Sequence, residues 1–166
     1  LNLPFYERSG RALGDDDMAA MRKILADVRP EQIYAAGDLA DPHGTHRICL
    51  ELLTAAIEAE AKEGAAWVKA CDFWLYRGAW GDWRAHEIDR AIPLSPAEVL
   101  LKRQAILRHQ SQKDETPFLG GDEREFWQRA EDRTRDAAEL YRSLGWAEYA
   151  ALETFARWHP VGSGGQ

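Results

Sequence analysis

Between Pro30 and Gly37 lies a six-residue run, Glu31-Gln32-Ile33-Tyr34-Ala35-Ala36, too short for a helix and bounded by residues that end regular structure. Ahead of it, Met18, Met21, Leu25 and Val28 fall at helical spacing. Behind it, after a cluster of turn residues, Cys49, Leu52, Leu53, Ala56 and Ile57 do the same. The run reads as a buried strand of the parallel kind, set between two amphipathic helices, which is the unit from which α/β folds are built.

The spacing predicts the first helix over 16–28. Asp15, Asp16 and Asp17 open it and suit its positive end; a metal site is the competing reading, but aspartates ahead of an amphipathic helix are normally caps. For the second helix, Asp41 is the expected N-cap and Pro42 the first helical residue. A second strand is expected at Asp72–Arg77, followed by the loop Gly78-Ala79-Trp80-Gly81-Asp82-Trp83, and a third from about His86 to Leu94. Ser95-Pro96-Ala97-Glu98 forms a capping box with proline at the first helical position, opening a helix to about Gln110. A further helix should begin near Asp122 and end by Gly145, and a last short helix should run from Trp146 to Arg157. The expected organisation is one domain over 1–158 with a flexible tail at 159–166. Three strands are few for a doubly wound sheet, and the chain opens on Leu1 rather than Met, so strands before Leu1 are expected to be missing.

At 166 residues the chain can bury about two-thirds of its unfolded surface without metal or disulfide staples. Twenty-one basic against 28 acidic side chains give a net charge of −7, which argues against nucleic acid as a partner. No apolar stretch approaches the roughly 20 residues of a membrane span, so no membrane partner is expected. Cys49 and Cys71 have no nearby partner at metal-ligand spacing, which fits a reducing, cytoplasmic setting.

The segment Asp41-Pro42-His43-Gly44-Thr45-His46 stands between a strand's carboxyl end and a helix start, where open α/β sheets bind ligands. His43 and His46 are three apart and, within one helical turn, point the same way. They form either half of a metal site or a turn cap with a packed neighbour; two ligands fall short of the three that a catalytic zinc normally uses, and Asp38, Asp41, His86 and His109 are the other candidate donors. His109 either complements a helix C-terminus or orients the site from behind. Tyr76, Arg77, Trp80 and Trp83 offer aromatic faces and a guanidinium that suit a phosphorylated sugar, although such clusters serve equally as core or interface. Glu123, Arg124, Glu125, Arg129 and Arg133 read as a solvated helix face.

Four separated segments, Asp38 through Arg47, Tyr76-Arg77-Gly78-Ala79-Trp80, Lys102 through Gln112 and Phe126-Trp127-Gln128-Arg129, together resemble the PIG-L/LmbE-like deacetylases. More narrowly, they resemble the PIG-L-like domain fused behind glucosamine-6-phosphate deaminase in long bacterial proteins. The resemblance covers roughly 28–156. It implies a Rossmann-like α/β fold, a three-layer arrangement of a parallel sheet with helices on both faces, and a zinc-dependent hydrolase that removes acetyl from an N-acetylglucosamine moiety. On this match His46 takes the place of the late zinc ligand and His43 that of the residue steadying the oxyanion. His109 falls on a helix end that the family repeats.

Two departures qualify the match. No His-Pro-Asp-Asp motif occurs in these residues, so two of the family's zinc ligands and its general-base aspartate are not in this chain; and Thr45 and Gly44 stand where the family has Asp and often Pro. Two functions follow: a deacetylase domain acting on an amino-sugar substrate, or an inactive accessory or oligomerisation module of amino-sugar metabolism. A second copy of the chain is a further candidate partner.

Overall fold

The computed structural model describes residues 3–7, 12–37, 44–79, 81–109 and 123–160. Its elements run α1 (Asp15–Val28), β1 (Gln32–Ala36), α2 (Thr45–Lys62), α3 (Ala66–Ala70), β2 (Asp72–Tyr76), β3 (Arg90–Leu94), α4 (Pro96–Leu107), α5 (Phe126–Ser143) and β4 (Ala151–Trp158), with short 3-10 turns at Pro4–Glu7 and Ala85–Glu87. The strands form one sheet in the order β1-β2-β4-β3. The expected α/β class therefore holds, with one change: β1 and β2 are parallel, whereas β3 and β4 are antiparallel, so the sheet is mixed. Among the described residues, no helix is long and apolar enough to cross a membrane.

Two compact units are present, Leu1–Tyr76 with Arg157–Gln166, and Arg77–Ala156. In the first, α1 lies on α2, and both close over a core of Leu25, Ala56, Ile57, Val68, Cys71 and Phe73. Trp158 meets Phe73 edge to face at 5.5 Å. The α2 helix ends in a Schellman motif: Gly64, at φ +80°, donates to Ala61 O, and Ala65 N–H donates to Glu60 O. That reversal feeds α3 and then β2, supplying the crossover that parallel strands require. Burial pushes the Cys71 thiol up to about 11, with the Asp72 carboxylate adding to the effect.

The acidic start of α1 proves to be a cap with a second task. Asp17 is fully buried; one oxygen accepts from Gly14 N–H at 3.0 Å, back to the helix start, and the other accepts from Phe5 N–H at 2.7 Å. Phe5 joins Leu3 and Leu52 in a second small core. One carboxylate thus closes the helix end and anchors the residues that precede it.

In the second unit, Ser95 and Glu98 form the expected capping box at the start of α4. The α5 helix starts at Phe126, four residues later than expected, because Gln128 reaches back to Glu125 N–H at 2.7 Å. It ends as expected at Gly145, again in a Schellman motif, with Trp146 packed on Tyr141. The α5 face was read as solvated, and for Arg133 this is corrected: it is buried and pairs with Glu153 of β4 at 3.1 Å. Buried Glu131 takes Arg103 of α4 at 2.6 Å and Arg135 at 2.5 Å. Burial pushes its carboxyl up, but the two guanidiniums outweigh this and hold it below the usual carboxylate range. Its contribution to stability is therefore present above that range and lost as pH falls through the depressed value.

The largest correction concerns the last element. Trp146–Arg157 is not a helix: Ala151–Trp158 is β4, paired with β3 from Leu94↔Ala151 to Arg90↔Phe155. Leu152, Thr154 and Ala156 are buried on alternate positions, a period-2 pattern, and pairing satisfies the backbone groups that a helix would have satisfied internally.

Asp17→Asn keeps the shape but turns an amide N–H₂ toward one of the two backbone donors. It should destabilise the chain by about 2–3 kcal/mol, read as a lower Tm in thermal unfolding; an unchanged Tm would show that the two hydrogen bonds contribute nothing net.

Candidate functional site

The carboxyl ends of β1 and β2 lie side by side, with Ala36 opposite Tyr76, and Gly37 N–H donates to Tyr76 O at 2.8 Å to carry the pairing one residue further. The chain re-enters regular structure at α2, which follows β1. Its N-cap is Gly44, in the left-handed conformation at φ +68° and ψ 0°. This corrects the expected start at Asp41 and Pro42: the helix begins at Thr45, because the left-handed Gly44 cannot continue a right-handed helix backwards. The expected pairing of His43 with His46 inside one helical turn accordingly does not hold. His43, with Asp38 and Asp41, lies outside the described residues.

His46 is the second residue of α2 and its side chain is exposed. No acidic residue stands in the first turn of α2, so the helix dipole meets no opposing charge there and favours an anionic group. Arg47, the next residue, lies 3.8 Å from Glu51 one turn on. Tyr76 ends β2 with its ring exposed. This strand-end edge of the first unit therefore gathers an imidazole, a tyrosine face and a helix N-terminus, the arrangement at which open α/β sheets take ligands.

The other expected residues fall elsewhere. Arg77 belongs to the second unit, where its guanidinium sits 4.1 Å from the Trp83 ring centroid. This is a cation–π contact that fixes the direction of the charge. Trp80 lies outside the described residues. His109 follows α4, exposed, its N–H donating to Ile106 O at 3.0 Å. His86 sits exposed in the Ala85–Glu87 turn. Sequence reasoning did not single out the grouping of Arg103, Glu131 and Trp127, in which the Arg103 guanidinium lies 4.5 Å from the Trp127 ring while paired to Glu131. The available signal was the small residues Ala130, Thr134 and Ala138 at helical spacing, which mark the buried face beside Glu131.

Zinc, implied by the family resemblance, can be tested against the donors on hand. Among the described residues, no three of His, Cys, Asp and Glu come together in a group able to hold a metal. His46 supplies one imidazole, short of the three protein ligands of a catalytic zinc, so the described residues do not make up a zinc site.

The chain matches no profile of a known protein family. It is 49% identical over 164 residues to a protein of Bacteroides thetaiotaomicron named glucosamine-6-phosphate deaminase-like; the match takes in 97% of this chain and 25% of that protein. The chain thus spans about a quarter of the length of the curated relative it matches. Its fold is similar to that of the crystal structure of GalB, the 4-carboxy-2-hydroxymuconate hydratase from Pseudomonas putida KT2440, with a TM-score of 0.60 and 16% identity over 94% of this chain and 63% of that one.

The Gly44 conformation generates one prediction. A Cβ there would meet Arg47 Nη2 at 3.6 Å, an ordinary contact, so only the left-handed backbone opposes a side chain. Gly44→Ala should lose about 1–2 kcal/mol and Gly44→Asn less, since Asn tolerates this region. Equal denaturant midpoints for wild type and Gly44→Ala would refute the assigned conformation.

Proposed function

We propose that this chain forms part of a PIG-L-like amide-hydrolase domain that deacetylates an N-acetylglucosamine-type amino sugar, within a larger protein of the glucosamine-6-phosphate deaminase-like kind. The observation that carries the reading is His46 in the first turn of α2, beside the carboxyl ends of β1 and β2. That is the position at which the Asp38-to-Arg47 resemblance calls for a metal-binding imidazole. The near-complete coverage of this chain by a relative named for an amino-sugar phosphate supports the substrate class.

In this reading the residues of the chain bind and orient. Tyr76 offers a ring face to the sugar, and the N-terminus of α2 favours its anionic or oxyanionic groups. Arg77, held over Trp83, presents a guanidinium suited to phosphate. His109 and His43 keep the positioning and oxyanion roles that the resemblance gives them. The donors needed beside His46 to complete a metal site come from outside the described residues. The alternative, an inactive accessory module, draws on a specific observation: the sequence holds no His-Pro-Asp-Asp motif.

The test uses the full polypeptide that carries this chain, assayed for acetate release from N-acetylglucosamine and its 6-phosphate, with bound metal measured by elemental analysis. His46→Ala should lower kcat/KM by about 100-fold or more and reduce the metal content. Wild-type protein that releases no acetate and holds no metal would decide for the accessory module. Full activity and metal in the variant would remove His46 from the site.

A further inference from the structure

We propose that the outer edge of β1 takes up an additional strand from the same polypeptide, one that lies outside residues 1–166. The proposal stands on the sheet alone and does not depend on the hydrolase reading.

Hydrogen bonds define the direction of each backbone group in β1. Glu31 O accepts from Asp72 N–H at 2.9 Å and Gly37 N–H donates to Tyr76 O at 2.8 Å, so residues 31 and 37 face β2. In a parallel pair, successive residues turn their N–H and C=O to alternate sides. Ile33 and Ala35 therefore face β2 as well, while the backbone groups of Gln32 and Ala36 face the opposite side. Among the described strands, β1 is outermost on that side.

The two edges of the sheet differ in how they are guarded. The opposite edge strand, β3, carries Arg90 and Pro93; a proline has no N–H to offer a newcomer, and charge on an edge deters pairing. Strand β1 reads Gln32-Ile33-Tyr34-Ala35-Ala36, with neither charge nor proline. Parallel strands are ordinarily interior, with both faces covered, yet the Tyr34 side chain is 45% exposed. An unguarded, uncharged parallel strand is what a sheet shows where another strand belongs.

The occupant follows from length. The chain accounts for a quarter of its Bacteroides relative, and the fold neighbour that matches 94% of this chain extends well beyond the matched part. Proteins of this build therefore carry ample sequence outside the matched region to supply one strand.

The test is residue-resolved hydrogen exchange on the full polypeptide. With a strand in place, Gln32 and Ala36 should exchange within about 10-fold of Ile33 and Ala35, at every protein concentration. Ala36→Pro, which removes an outward N–H and leaves the β2 pairing intact, should speed exchange along the whole of β1. Exchange of Gln32 and Ala36 about 1,000-fold faster than their neighbours would overturn the proposal. Protection that disappears on dilution in step with a dimer would overturn it too, by assigning the edge to a second copy. So would Ala36→Pro leaving Ile33 and Ala35 unchanged.

Discussion

The parallel register of β1 and β2, from Gln32↔Asp72 to Ala36↔Tyr76, is the constraint on which the site depends. Parallel neighbours cannot be joined by a tight turn, so the intervening chain must travel back along the sheet, and α2 and α3 make that journey. Ile57 and Leu53 of α2 come down on Ile33 and Phe73, which ties the crossover to the strands it connects. Because both strands point the same way, their carboxyl ends share one edge with the start of α2. His46 and Tyr76 meet at that edge for a topological reason rather than through any attraction between them.

Charge is organised differently in the two units. In the first, a buried carboxylate, Asp17, is satisfied by backbone N–H groups and serves local closure. In the second, Glu131 and Glu153 are satisfied by arginines and a lysine drawn from α4 and α5: Arg103 and Arg135 for one, Lys102 and Arg133 for the other. Pairs of this kind add little net stability, yet the loss of a single partner leaves a buried charge and costs more than the pair was worth. They therefore specify how α4 and α5 face one another.

What was legible in the sequence was local. Strand β1 was marked by its flanking Pro30 and Gly37, α4 by the Ser95–Glu98 box, and the end of α5 by Gly145, each a signal carried within a few residues. What was hidden depended on distant partners. Ala151–Trp158 carries too few residues to separate a helical from a strand period, and only its pairing with β3 decides between them. Arg133 looks like a surface residue until Glu153 arrives from β4. The start of α2 was misplaced because Asp41-Pro42 is the stronger capping signal in sequence, whereas the left-handed turn at Gly44 sets the boundary. The location of the candidate site was readable from the strand-turn-helix order around Asp38–Arg47. Its ligand set was not, since a metal site needs donors that no local pattern brings together.

The central claim is that ligands engage the edge formed by the carboxyl ends of β1 and β2 and the first turn of α2. The most direct measurement is a residue-resolved NMR titration of the full polypeptide with N-acetylglucosamine 6-phosphate, following the His46 and Tyr76 side chains and the Gly37 and Gly44 amides. The account predicts that these four signals shift together and saturate at a common ligand concentration. Saturable shifts confined to α4 and α5, with His46 and Tyr76 unmoved, would contradict it.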